Sequence, residues 1–226
     1  MNNPFPDNPV FQKFLGLKYF FRKYINRESF RRTREISKVA RTIQSSGDNI
    51  AFDLLGSVNF GISDQKSDVD LVMYLECDHD EEAEYGNCSK LRFYEYLLIN
   101  SLLHEIFGKT FDIEVVDFIN LRKLKKSIEE ENYEDDIIAR FVFYRTICRG
   151  VNKKILRPYE RAIMNNQTLF QKIEKNLTEI LVELTKTSGH ALSFNKYLDR
   201  LKDSDIKIPA SMAEKIKEYL DISTSH

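Results

Sequence analysis

The first apolar positions of the chain, Phe11, Phe14, Leu15, Tyr19 and Phe20, recur at helical spacing and predict a short aromatic-rich helix from Asn8 to about Tyr24. A second helix is expected from about Ser29 to Gln44. Phe30, Ile36, Val39, Ala40 and Ile43 form its apolar stripe, and its arginines fall mostly on the other side. Ser45-Ser46-Gly47-Asp48 stops it. The period then changes. Ile50 to Leu55 is a strand ending in Gly56-Ser57, Val58 to Ser67 a polar loop, and Val69 to Leu75 a second strand. An acidic loop follows. Leu91, Tyr94, Leu98, Leu102 and Ile106 align on a helix from Lys90 to Phe107, closed by Gly108. Phe111 to Phe118 is a third strand. Beyond residue 120 the pattern is helical over Ile137–Cys148, Lys153–Met164, Thr168–Thr185, Ala191–Leu201 and Ser211–Leu220, with Pro158 marking a start or kink.

This layout implies an α+β fold: a small mixed sheet flanked by helices, then an all-helical C-terminal region. The expected division is a domain of residues 1–130 with the N-terminal helices and a helical domain of residues 131–226, separated in the polar stretch Glu129-Glu130-Glu131-Asn132. With 226 residues, 42% of them hydrophobic, the chain can bury a sizeable core. Cys77, Cys88 and Cys148 form no CxxC pair, which fits a reducing compartment and offers no zinc framework. With no signal peptide and no apolar run of about 18–20 residues, a soluble cytoplasmic protein and no membrane partner are expected.

Candidate chemistry enters at the end of the first strand. Gly56 lets backbone approach a phosphate, and the Ser57 hydroxyl with neighbouring N–H groups could hold a triphosphate. Asp68 and Asp70 are two apart on a strand, so both carboxylates point to one side. Their repulsion calls for a cation between them, and magnesium (Mg2+) suits carboxylate oxygens and phosphates. In the third strand Asp112 and Glu114 share one face, with Ile113 and Val115 on the other. A third carboxylate beside the pair would complete a two-metal site.

The string Gly-Ser-Val-Asn-Phe-Gly-Ile, a spacer, Ser-Asp-Val-Asp-Leu, and a later hydrophobic-acid-hydrophobic strand resembles the signature of the DNA polymerase β-like nucleotidyltransferase superfamily, over about residues 30 to 120. It is similar to the terminal uridylyl- and poly(A)-transferase branch and to small bacterial nucleotidyltransferases. The resemblance implies transfer of a nucleoside monophosphate from a nucleoside triphosphate, such as ATP, to a hydroxyl, with pyrophosphate release and two metal ions. It implies Asp68 and Asp70 as metal ligands and Gly56 and Ser57 at the triphosphate. The family usually has aspartate at the third position. Here register puts Glu114 there, with Asp112 two before it and Asp117 a further alternative. The acceptor is a small molecule, a protein side chain or an RNA end. The rival expectation is a nucleotide-binding or antitoxin-like regulatory module with the same fold and little catalysis, which gains if no third carboxylate reaches the pair.

Other signals bear on partners. The net charge of −1 argues against a dedicated nucleic-acid binder but not against a local basic face. The arginines of the second helix either guide a polyanion or form a solvated face. Arg145, Arg149, Lys153, Lys154, Arg157 and Arg161 are placed where a helical domain would face the cleft and contact a triphosphate or acceptor. Tyr144, Tyr159 and Phe170 read as core aromatics rather than base-stacking platforms, and the aromatic first helix could be a homodimer surface. Gly108-Lys109-Thr110 lacks the first glycine and the strand-to-helix context of a P-loop.

Overall fold

A computed structural model describes residues 3–77, 82–84, 87–101 and 111–221, the side chains of 100 and 101 excepted. Helix α1 spans Pro9–Arg22 and α2 Arg27–Ser45. Each starts where an asparagine side chain takes orphan amides: Asn8 accepts from Val10 N and Phe11 N, and Asn26 from Ser29 N. Strand β1 is Ile50–Leu54, α3 Gly56–Phe60 and β2 Val69–Leu75. Helix α4, Ser89–Tyr96, widens into a π turn at Leu97–Ser101. Strand β3 covers Ile113–Asn120 and α5 Leu121–Glu129. Then come α6 (Asp136–Ile147), β4 (Arg149–Val151), α7 (Arg157–Met164), α8 (Gln167–Lys186), α9 (Ser188–Asp203) and α10 (Ala210–Leu220). The fold is α+β, as the hydrophobic pattern implied.

The sheet order is β3-β2-β1-β4, with β2 and β3 parallel and the other pairs antiparallel. Its two faces are buried differently. Val69, Leu71, Met73 and Leu75 of β2 pack with Phe52 and Leu54 under α2 and α4. Val72, Tyr74, Ala51 and Ile119 lie on the other face, under α1 and the C-terminal helices. Burying each of these large side chains contributes about 1.5–3 kcal/mol. The register is therefore held firmly: a one-residue slip would exchange the two faces of β2 and drive Asp70 into the apolar layer.

Several elements differ from the sequence-based expectation. The stretch Val58–Ser67 is not loop throughout. Its first residues belong to α3, which Gly61 ends in a left-handed conformation (φ 85°) while its N–H donates to Ser57 O. Strand β3 begins and ends two residues later than the Phe111–Phe118 span. A bulge at Val116 rephases the alternation, so Val115 pairs with Leu71 and Asp117 with Val72. Helix α5 and strand β4 escaped the reading. β4 pairs with β1, so chain on both sides of residue 130 builds the sheet. Pro158 stands in the first turn of α7, a start rather than a kink. The part of the expected Lys90–Phe107 helix beyond residue 101, with its Gly108 closure, lies outside the described residues, as do Lys109 and Thr110.

Two members of the expected apolar stripes face outward: Tyr19 is 61% exposed and Phe30 59%. At the N-terminal end of α2 the inward positions go to Ser29 and Arg32, because the neighbour there is the polar loop before β2. The other aromatics of α1, Phe11, Phe14, Phe20 and Phe21, are buried within the chain itself.

Candidate metal centre at the sheet edge

The turn out of β1 and the entry into β2 meet at one end of the sheet. Gly56 has φ +53°, and a Cβ placed there would stand 2.5 Å from Asp70 Oδ2. Backbone thus approaches the carboxylate as closely as it does only because position 56 has no side chain. Leu55 N donates to Asp70 O at 2.9 Å, tying this turn to β2. The half-buried Ser57 places its Oγ 3.1 Å from Ser63 Oγ.

Asp70 and Glu114 are register partners on the parallel β2–β3 pair, and Val69 N donates to Asp112 O at 2.9 Å just before it. Asp68 precedes Asp70 by one strand repeat. Asp68, Asp70 and Glu114 each offer an oxygen, and these oxygens lie within 4.8 Å of one another. Asp68 and Glu114 are exposed and Asp70 half-buried. Among the described residues none of the three side chains makes an ion pair or a hydrogen bond. Burial first, then the charges of Asp68 and Glu114, push the Asp70 carboxyl up to about 6. Three convergent, unpartnered carboxylates fit a hard divalent cation, which would remove the repulsion that raises Asp70. Of the candidates for the third position, Glu114 joins the group. Asp112 is exposed on the same strand face but outside it, and Asp117 is taken by Arg140 at 2.7 Å.

The loop from Gly61 to Asp68 is pinned from three directions. Arg32, fully buried, donates to Ser67 O (2.8 Å) and Gln65 O (3.3 Å) and pairs with Glu28 (2.8 Å). Ser29 Oγ accepts from Ser63 N at 2.7 Å, and Asn26 donates to Ser63 O at 2.6 Å. Arg200 of α9 donates to Ile62 O and to Asp64, each at 2.6 Å. Burial pushes the Asp64 carboxyl up, but the Ser67 hydroxyl and the Arg200 charge outweigh it and hold it below its ordinary value.

Helix α9 forms the opposite wall. Phe60 of α3 packs on Phe194 and Tyr197 (centroids 5.3 and 5.2 Å) and on Phe21 of α1 (5.8 Å), which sets α9 over the sheet edge. The resulting cleft, about 570 Å³, is lined by Gly56, Ser57, Asp68 and Asp70 on one side and by Ser193, Lys196, Tyr197 and Arg200 on the other, with Lys66 at its rim. Burial pushes the Tyr197 phenol up, so it is a neutral donor at physiological pH.

The cations expected in the cleft from residues 145 to 161 do not line it. Arg145 is buried, ion-paired with Asp53 and, at 2.8 Å, with Glu160. Lys154 lines a separate cavity with Glu76 and Tyr159. Burial and the nearby Arg22 lower the Arg149 pKa, and Arg157 and Arg161 are exposed on α7. The cleft's cations come instead from Lys66, Lys196 and Arg200. The only trace of this wall in the sequence is the helical spacing Ser193, Lys196, Tyr197, Arg200. Tyr159 and Phe170 pack against Phe141 and Phe5, as core aromatics do.

No protein-family model, curated protein or solved structure matches the chain. Among the described residues, no helix is long and apolar enough to cross a membrane.

Proposed function

We propose that the chain is a metal-dependent nucleotidyltransferase that moves a nucleoside monophosphate from a nucleoside triphosphate to a hydroxyl acceptor. The observation that carries this reading is the convergence of Asp68, Asp70 and Glu114 within 4.8 Å beside a glycine turn at Gly56. Asp68, Asp70 and Glu114 would hold magnesium, which when bound supplies charge neutralisation for the phosphates and acidifies the acceptor hydroxyl. Gly56 and Ser57 seat the triphosphate, with Lys66 and Lys196 adding positive charge at the rim and the far wall. The acceptor oxygen bonds to the α-phosphorus as the bond to the β-phosphate oxygen breaks. Pyrophosphate leaves with that electron pair, and the acceptor proton passes to Glu114 Oε.

The binding-only alternative would gain from a third carboxylate standing apart, and Glu114 lies with the pair; stabilisation by a triphosphate without turnover would favour it. The test is pyrophosphate release from each nucleoside triphosphate with magnesium. Asp68→Ala and Glu114→Gln should each lower it by 100-fold or more, on the order of the loss of a transition-state charge contact. Asp112→Asn should change it less than threefold. Unchanged turnover in Asp68→Ala would sink the proposal.

A further inference from the structure

The outward face of α2 carries charge of one sign and begins at the catalytic edge. Its inward residues are Ser29, Arg32, Ile36, Val39, Ala40 and Ile43. Diametrically opposite stand Arg27, Arg34 and Arg41, spaced seven apart and therefore on one line of the helix. All three are exposed, and among the described residues none of them forms an ion pair. Lys38 lies on the same line, and Phe30, 59% exposed, stands beside it. The acids of this helix, Glu28 and Glu35, sit off the line and pair with Arg31 and Arg32. At 1.5 Å per residue the three arginines span about 21 Å.

The line has a direction. Its Arg27 end adjoins the cleft, since Asn26 N donates to Gly61 O, and Arg32 on the same helix holds Ser67, the residue before Asp68. Its Arg41 end lies toward Gln44, which reaches Asn152 at the edge of β4. A flexible polyanion whose end lies in the cleft would leave it along this line.

We infer that the arginine line of α2 binds the backbone of a single-stranded nucleic acid whose terminal hydroxyl is the acceptor in the cleft. The inference rests on the nucleotidyltransferase reading for the role of the bound end, but not for binding itself. Guanidinium groups about 10.5 Å apart, with Lys38 between two of them, can each reach a phosphate of a flexible single strand, and an exposed phenyl ring among them suits a base. A lipid surface suits it less, because the apolar side of α2 is spent on the sheet and only Phe30 is left to insert. The net charge of −1 does not oppose this, since it sums this basic line with acidic stretches elsewhere.

The test is fluorescence anisotropy with labelled RNA and DNA oligonucleotides of about 12 nucleotides, without metal or triphosphate, across a salt series. Binding to wild type is expected, and Arg27→Ala/Arg34→Ala/Arg41→Ala should weaken it on the order of 50-fold at 0.15 M salt and flatten the log–log salt slope by about 2. Arg27→Lys/Arg34→Lys/Arg41→Lys should bind within a few-fold of wild type, and Lys217→Ala, an exposed charge on α10, should bind unchanged. Phe30→Ala should weaken binding without altering the slope. Absence of oligonucleotide binding, or an unchanged slope in the triple alanine variant, overturns the inference, as does binding to phosphatidylserine vesicles in place of oligonucleotide. Oligonucleotide binding through the arginines with no pyrophosphate release would leave this surface standing and remove the enzymatic reading. Pyrophosphate release with no oligonucleotide binding would do the reverse.

Discussion

Asp70 is held in its charged form at a cost, and the substitution Asp70→Asn should expose that cost. Its carboxyl titrates at about 6 against an ordinary 3.8, through burial and the charges of Asp68 and Glu114. A displacement of that size corresponds to about 3 kcal/mol against the charged form. Water reaches this half-buried site, so about 1–2 kcal/mol is the realistic figure. The folded protein binds the Asp70 proton more tightly than the unfolded chain does. Stability contributed by this group is therefore greatest below pH 3.8 and falls as pH rises toward 6, with the full penalty present above that. In EDTA at pH 7.5, Asp70→Asn should be more stable than wild type by about 1–2 kcal/mol, which for a chain of this size raises Tm by roughly 2–8 °C. The gain should shrink as pH is lowered through 6 and vanish near pH 4. Magnesium should reverse the order, because only wild type gains stability by binding it. Paired thermal denaturation by circular dichroism over this pH range, with EDTA and with magnesium, reads all three effects. A variant no more stable than wild type at pH 7.5 in EDTA, or a gain independent of pH, would refute the reasoning.

Gly56→Ala combines a left-handed φ with a Cβ 2.5 Å from Asp70 Oδ2; a loss of roughly 2–3 kcal/mol by denaturant titration is expected, with weaker magnesium-dependent stabilisation because the carboxylate must move. Arg32→Ala strands the Ser67 and Gln65 carbonyls and leaves Glu28 with Arg31 alone; about 2–4 kcal/mol should be lost and the magnesium concentration for half-maximal turnover should rise, with Arg32→Lys recovering only part of both because one ammonium cannot replace the guanidinium fork.

The pairing of Gly56 with the two aspartates was legible because it is local. A strand repeats every two residues, so Asp68-Val69-Asp70 sends both carboxylates one way whatever the rest of the chain does, and the alternation Asp112-Ile113-Glu114-Val115 put Asp112 and Glu114 on one face as candidates. Helices α1 and α2 were legible for the same reason, whereas α7 begins at Arg157, four residues after the Lys153 start that periodicity suggested, with Pro158 in its first turn. What periodicity could not say is which distant residue meets which. The parallel register that sets Glu114 beside Asp70, rather than Asp112, is decided by burial of Ile113 and Val115 on the sheet face under α2 and α4. Arg145 and Arg200 are both arginines in the helices that follow β3. One is drawn into the core because Asp53, itself fully buried on β1, needs a counter-charge, while the other reaches the cleft loop because Phe60 and Phe194 set the height of α9. Short segments such as α3 and β4 carry too few residues to show a period, and only their partners, β1 and the α1–α9 aromatic cluster, make them what they are. The sequence by itself thus determined the chemistry of the candidate site, since that chemistry lies on two strands with a fixed repeat. The tertiary structure alone decided the wall opposite it and the line of charge leading away, since both depend on contacts between residues far apart in the chain.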